Sequence, residues 1–398
     1  MIYFQEIRQI QKDHWLMLVT LFLMKAGQFM SLPFLAIYLV KNLSSSPSII
    51  SFVIGVGGFT YGVSGLVAGM LVDRIGIKKS LILALLLGGG ALFSFFSIHN
   101  VTWYILMSIL IGIGRAVFNV GSKAYGVTKT THEQRRFTFR LRSMCTDSAA
   151  ALGPLLGAYF ATHNYFMVFK IIGIIYGILA LISLFMLENT LHHTTMKPIS
   201  FLDALGVLYQ DRKLQLLLII TCLYWMIWTQ LESTLPQYLT MSLRNGVHIY
   251  AWMLIINAIG CASLQLFIAH LTRNFKDRVM CFWGMMFFAT SYLIIAFSLS
   301  IPFLFIACIG AILSQVIIFP LNDLFISKIA PVHRMGTYYG IITIAAIGMG
   351  VGPILGGLIY QHLGARINFI FFSGIALVCI VLYRKLFNQI ELIGDRQW

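Results

Sequence analysis

Apolar runs of helix length recur along the whole of this chain, and that recurrence limits the fold more than any single motif does. They cover residues 15–40, 49–72, 80–98, 101–122, 141–161 and 165–187, then 214–240, 249–270, 279–300, 302–326, 335–360 and 367–388. At ~1.5 Å per residue, ~20 residues of helix cross the ~30 Å hydrocarbon core of a bilayer. Each run is adequate, and the longer ones must tilt. The pattern predicts an all-α integral membrane protein with twelve transmembrane helices. Composition agrees, because only 10% of the 398 residues are charged and 59% are hydrophobic, whereas a soluble domain carries roughly 25% charged residues.

The formal charge of +15 points to a membrane orientation rather than to nucleic acid. Most of the 28 Lys and Arg residues fall in alternate loops, beginning with the N-terminal segment. The opposite loops and nearby span ends hold Lys41, Lys170, Arg244 and Arg366, and only Lys25 and Arg115 lie within spans. By the positive-inside rule both termini are expected in the cytoplasm, which makes this a multi-pass protein of a bacterial inner membrane. The six cysteines lie in or beside apolar runs without a C-x-x-C pair, so buried thiols are expected, not a disulfide framework or a metal site. The first run is too long for a cleaved leader. The interval 188–213 reads as a cytoplasmic linker between residues 1–187 and 214–398. In it Pro198 stops a helix, and Phe201, Leu202, Leu205 and Leu208 recur at helical spacing.

Between the second and third runs stands a charged turn, Gly69–Leu81, reading GMLVDRIGIKKSL. A tight polar turn belongs at a water interface, since hydrocarbon would leave its backbone groups unpaired. Gly69, Leu71, Asp73, Arg74, Gly76, Lys78 and Leu81 match the loop G-x-L-a-D-r-x-G-r-k-x-x-l, and on these residues the chain resembles the major facilitator superfamily. Ile77 departs from it, standing where the family usually has a basic residue. The resemblance implies two pseudo-symmetric six-helix bundles that rock about a substrate site near the membrane midplane. It also implies that Gly69, Asp73, Arg74, Gly76 and Lys78 latch the cytoplasmic face in one state and release it in the other.

The two halves of the chain echo one another. Gly153-Pro154-Leu-Leu-Gly157 returns as Gly352-Pro353-Ile-Leu-Gly356, and Ser31-Leu32-Pro33 returns as Thr234-Leu235-Pro236. Both pairs lie about 200 residues apart and in the same order, as an internal repeat requires. The stretch Gly348 to Gly357 resembles the antiporter motif of the drug-proton antiporters, G-x-x-x-G-P-x-x-G-G, although it lies in span 11 and the family carries the motif in span 5. Two readings of Gly153, Pro154, Gly352 and Pro353 stand side by side: close helix packing, and a role in coupling direction. The glycines between Gly55 and Gly69 invite a nucleotide-loop reading, but inside an apolar span packing is the better account.

Charges deep in the spans are the candidate site. Lys25 lies ~10 residues, or ~15 Å, into span 1, and Glu232 lies at similar depth in span 7. Arg115 lies in the inner third of span 4. An intramembrane charge costs at least ~2.5–3.5 kcal/mol unless it faces partners or water. The resemblance places spans 1, 4, 7 and 10 around a central cavity, and Gln315 and Asn322 add polar groups on span 10. Asp147 is expected at the gate. Glu232 is the candidate proton carrier, and Lys25 and Arg115 are candidate binders of a solute. A structural ion pair of Lys25 with Glu232 is the competing account. The expected function is proton-coupled secondary transport of a small anionic or zwitterionic solute, with export favoured over uptake of a nutrient or metal-chelate. A passive channel is the alternative of a different class; no cofactor, metal or nucleic acid is expected, nor an enzyme. The expected partners are substrate, protons and lipid, around a monomer.

Overall fold

The computed structural model describes residues 12–43, 46–95, 100–128, 132–187, 201–271, 275–330, 338 and 341–394. These are helical almost throughout, with no strand among them. In chain order the helices are α1 (Lys12–Leu43), α2 (Pro47–Ile75), α3 (Ile77–Ser94), α4 (Val101–Thr128), α5 (His132–Met186) and α6 (Phe201–Gln210). They continue as α7 (Arg212–Trp228), α8 (Thr234–Ser242), α9 (Gly246–Leu271), α10 (Asp277–Phe297), α11 (Ile301–Ile329) and α12 (Gly348–Gly394). Two 3₁₀ turns, Thr229–Leu231 and Ile344–Ile347, interrupt spans 7 and 11.

Among the described residues, ten helical stretches are long and apolar enough to cross a membrane. The last of them, Ile341–Gln389, has 49 residues, far more than one crossing needs, and it turns at Gly364, where φ is 85°. That left-handed conformation is open to glycine at no steric cost. Helix α5 likewise carries spans 5 and 6 in one 55-residue run. Its apolar stretch is Met167–Met186; the earlier part carries Arg142, Thr146 and Asp147. Large apolar side chains stand exposed in stripes, such as Ile174, Ile178, Leu181 and Phe185 on α5. Spaced three and four apart, they make one apolar helix face of the kind that lipid covers.

The chain forms two compact units by its contacts. One joins Met1–Ser44 with Thr60–Thr195, and the other joins Ser45–Phe59 with Met196–Trp398. The division passes through α2. In the first unit α1 packs on α5, and α3 packs on α4 and α5. A T-shaped and stacked cluster of Tyr38, Phe95, Tyr104 and Phe169 ties α1, α3, α4 and α5 together, and the Tyr38 hydroxyl donates to the Phe95 carbonyl. In the second unit α12 packs on α7 and α10, and α11 packs on α9 and α10. The first half of α2 lies on α12 in this unit: a Cβ at Gly55 would stand 2.6 Å from the Gly350 carbonyl, and one at Gly58 would stand 2.5 Å from that of Met349. These glycines serve helix packing, as their place in an apolar span predicts.

The predicted linker is described only from Phe201 onward, so Pro198 lies outside the described residues. Phe201–Gln210 forms α6. Asp211 then caps α7, its side chain accepting from the backbone N–H groups of Lys213 and Leu214, which satisfies donors that a helix start leaves open.

Candidate functional site

In the first unit the site is built on α1. The Tyr176 hydroxyl donates to the Met24 carbonyl at 2.5 Å, and a Cβ at Gly27 would meet the Tyr176 ring at 2.9 Å. Gly153 and Gly157 of α5 approach Ala26 and Met30 just as closely. Residues 24, 26, 27 and 30 are therefore clamped by α5, and Lys25 and Gln28, three apart, point away from that clamp. The Lys25 ammonium donates to Gln28 Oε1 at 3.2 Å. It also lies within the electrostatic reach of Arg115, Arg142 and Lys123.

These cations belong to one network. On α4, Arg115 and Asn119 are four apart and Ser122 follows three later, so they share a helix face. The Arg142 guanidinium on α5 forks across that face, donating to Ser122 Oγ at 2.7 Å and to Asn119 Oδ1 at 3.1 Å. The Asn119 amide donates in turn to the Tyr61 hydroxyl at 3.2 Å, and the Arg115 guanidinium carbon sits 4.8 Å above the Tyr61 ring. Lys25 and Arg142 are thus held by neutral oxygens, and an aromatic face lies under Arg115. Sequence reasoning missed Arg142, Asn119 and Tyr61. Arg142 counts with the loop cations because its run begins beside it, although its partners Asn119 and Ser122, three apart on span 4, share a helix face.

In the second unit the site lies where span 7 breaks. Pro236 has no N–H to give the Glu232 carbonyl, so the helical ladder cannot run through. Side chains bond to carbonyls around the break: Ser233 Oγ donates to the Thr229 carbonyl at 2.8 Å, and the Gln237 amide donates to that of Ser233 at 2.9 Å. Pro33, its echo in the first half, lies inside an unbroken α1. Glu232 closes the 3₁₀ turn, its N–H donating to the Thr229 carbonyl at 3.1 Å. Its side chain lines a cavity of about 60 Å³ with Trp228, Tyr250, Asn257, Cys308 and Gln315. The Trp228 indole donates to Gln315 Oε1 at 3.2 Å, and the Tyr250 hydroxyl donates to the Leu231 carbonyl at 3.0 Å. Asn322 is turned elsewhere, accepting from the Tyr383 hydroxyl of α12 at 2.8 Å.

Two polar centres, each inside a bundle of membrane-length helices, are what a solute carrier requires, and comparison with known proteins gives the family. The profile described as Major Facilitator Superfamily matches residues 17–346 and again 217–391. The chain belongs to this superfamily. It is 26% identical over 396 residues to the uncharacterized MFS-type transporter YqjV of Bacillus subtilis, covering 97% of this chain and 96% of that one. It is 22% identical over 350 residues to the multidrug resistance protein MdtH of Aeromonas hydrophila, covering 87% of each. Among solved structures it resembles the nucleoside transporter NupG, with a TM-score of 0.77, 12% identity, and 95% and 99% of the two chains covered. It also resembles the peptide transporter POT in complex with sulfate, with a TM-score of 0.77, 14% identity, and 95% of each chain covered. At such identities these structures speak for the shared fold alone.

The remaining candidates are placed as follows. The facilitator hinge consists of one linking residue, Gly76, with φ 86°, between the end of α2 and the start of α3. Ser80 Oγ donates to its carbonyl at 2.8 Å. Arg74 is exposed and Lys78 half-buried; the side chain of Asp73 lies outside the described residues. A Cβ at Gly69 would meet nothing within 4 Å, so its surroundings are open in this structure. Asp147 is exposed on α5. Gly153 and Gly352 are the closest-packed of the set: a Cβ on the first would stand 2.7 Å from Phe29 Cβ, and one on the second 2.7 Å from Met226 Cα. Pro154 and Pro353 are buried beside them. Lys25 and Arg115 fall in the first unit, Glu232, Gln315 and Asn322 in the second.

Proposed function

We propose that this facilitator-superfamily chain is a secondary active transporter that exports a small anionic or zwitterionic organic solute in exchange for protons. The observation that carries the reading is the cationic network of the first unit. Lys25 and Arg142 bond to neutral oxygens, and Arg115 stands over a neutral ring. A carboxylate or similar anion arriving there meets several cations, and a guanidinium can hold it by paired, charge-assisted hydrogen bonds. A lipophilic cation would be repelled. Glu232, at the wall of a cavity, suits proton binding and release. One pH unit supplies ~1.36 kcal/mol per proton and 100 mV another ~2.3 per charge, so a proton gradient can drive the cycle. The multidrug resistance name of the MdtH relatives supports export, and the distribution of Lys and Arg supports cytoplasmic termini in the bacterial inner membrane.

The test uses purified protein in proteoliposomes with an imposed pH gradient and a panel of mono- and dicarboxylates, amino acids and tetraphenylphosphonium. Saturable, gradient-driven movement of an anion or zwitterion is expected. Lys25→Ala should weaken its binding by roughly 2–5 kcal/mol, as when one member of a desolvated charged pair is removed. Tight binding of tetraphenylphosphonium that no anion displaces would overturn the reading.

A further inference from the structure

The second unit holds a further cleft, which shares no lining residue with the cavity beside Glu232. Between the start of α10 and the last turns of α12 opens a cleft of about 200 Å³, lined by Arg278, Val279, Phe282, Tyr383, Arg384 and Phe387. Its walls follow from helix periodicity. Arg278 and Phe282 are four apart on α10, and Tyr383, Arg384 and Phe387 fall within four residues on α12, so each helix turns one arginine and its aromatic neighbours into the same cleft. The back is closed by α11, where Phe325 packs against Phe387 and Tyr383 at ring distances of 5.3 and 5.9 Å.

The polar groups on this wall are two guanidiniums and one hydroxyl. The Tyr383 hydroxyl already donates to Asn322 Oδ1. The nearby acid, Asp277, accepts from Lys328 at 2.5 Å, so its charge does not set the sign of the cleft. Arg278 and Arg384 are exposed, and the adjoining Lys276 and Lys385 are exposed as well. The cleft is thus strongly cationic at its mouth and aromatic and aliphatic along its walls. Arg278 stands in the first turn of α10, where the helix adds its own open N–H groups. Asp277 and Arg278 begin a membrane-length helix, so the mouth lies at the water–hydrocarbon boundary.

We infer that this cleft binds an anionic phospholipid, its phosphodiester held between Arg278 and Arg384 and an acyl chain lying along Val279, Phe282 and Ile380. Charge complementarity selects the headgroup, since a zwitterionic lipid brings its own cation to a mouth that already holds two guanidiniums. The apolar walls select a lipid over a free anion, which would leave them wet. Basic pockets between helices at the cytoplasmic interface are suited to such headgroups.

Native mass spectrometry of the full chain in detergent, exposed to an equal mixture of phosphatidylglycerol and phosphatidylethanolamine with identical acyl chains, tests the inference. Selective retention of phosphatidylglycerol is expected, with a rise in melting temperature. The double variant Arg278→Gln/Arg384→Gln should retain it roughly thirtyfold less, from about fivefold per basic group at a membrane surface. Both side chains are exposed, so the variants should fold; each single variant gives a smaller loss of the same sign and replaces the double variant if that proves unstable. Equal retention of the two lipids, or unchanged preference in the variants, overturns the inference. An equal thermal shift from inorganic phosphate would make this a soluble-anion site and overturns it too.

Discussion

The carbonyl oxygen of Ala26 lies against the Cα of Gly153, so close that a Cβ on the glycine would stand 2.8 Å from it. Gly352 stands in the same relation to Met226, at 2.7 Å from the Cα. The glycine-proline motif of each half thus grips the span that carries that half's deep charge, Lys25 on α1 and Glu232 in the break that follows α7.

Gly153→Ala and Gly352→Ala should therefore each lower stability by about 1–3 kcal/mol through overpacking. Gly69→Ala meets no neighbour, and should be neutral or gain up to about 1 kcal/mol of helix propensity. Thermal unfolding of the three variants in detergent checks this. If Gly69 packs closely only in another state of the transport cycle, Gly69→Ala will slow turnover with no loss of melting temperature. A loss of stability at Gly69 equal to that at Gly153 would refute the assignment.

What was legible in the sequence was whatever depends on solvent and backbone. Apolar run length marks a span, a glycine between charges marks the turn at Gly76, and Gly-Pro-x-x-Gly returning half a chain later marks a repeat. What a side chain faces was not legible. Asn322 reads as a cavity residue by its span, yet Tyr383 holds it. Arg142 reads as a loop cation by its position, yet it forks onto Asn119 and Ser122. Pro33 and Pro236 have matching local sequences, yet α1 runs unbroken through the first and span 7 breaks before the second. Such differences arise between helices, and periodicity within one helix does not contain them.

The orientation is checked by labelling. In a background stripped of the six native cysteines, Asn245→Cys should react with an impermeant thiol reagent added to sealed right-side-out cells. Thr131→Cys should react only after the membrane is opened. Labelling of Thr131→Cys in sealed cells would reverse the topology that the Lys and Arg distribution supports.

Asp73→Asn should leave the protein level near normal, since a single charge in the last turn of α2, at the interface, contributes little to the fold. A latch that needs the charge would turn over more slowly. Initial rates at matched protein amounts measure this, and an unchanged rate would leave Gly69–Leu81 as a topological turn.

Glu232→Gln fixes the side chain in a neutral form that cannot release a proton. Uphill transport driven by a pH gradient should be lost, while exchange or downhill flux of the solute is partly kept. Because the glutamine cannot titrate, the residual flux should also lose its dependence on pH across the range where the wild type changes. Undiminished gradient-driven accumulation in the variant would move the proton site elsewhere, with Asp147 the next carboxylate to test.

Arg142 separates a binding role from a structural one. Its fork to Ser122 Oγ and Asn119 Oδ1 continues through Asn119 to the Tyr61 hydroxyl, and Tyr61 lies beneath Arg115. Arg142→Lys keeps the positive charge but replaces a planar fork by a compact ammonium, so it cannot reproduce both bonds at once. If the network orients cations toward an anion, the solute should bind about tenfold more weakly to Arg142→Lys, since one hydrogen bond to a charged group contributes about 1.5–3 kcal/mol. Arg142→Ala should lose more, because the charge goes as well. Asn119→Ala keeps every cation and removes the link to Tyr61 together with one branch of the Arg142 fork, so it should weaken binding while leaving anion selectivity in place. A merely structural fork gives the opposite pattern: melting temperature falls in all three variants and affinity holds in those that fold. Measuring affinity and melting temperature together on the same preparations decides between the two.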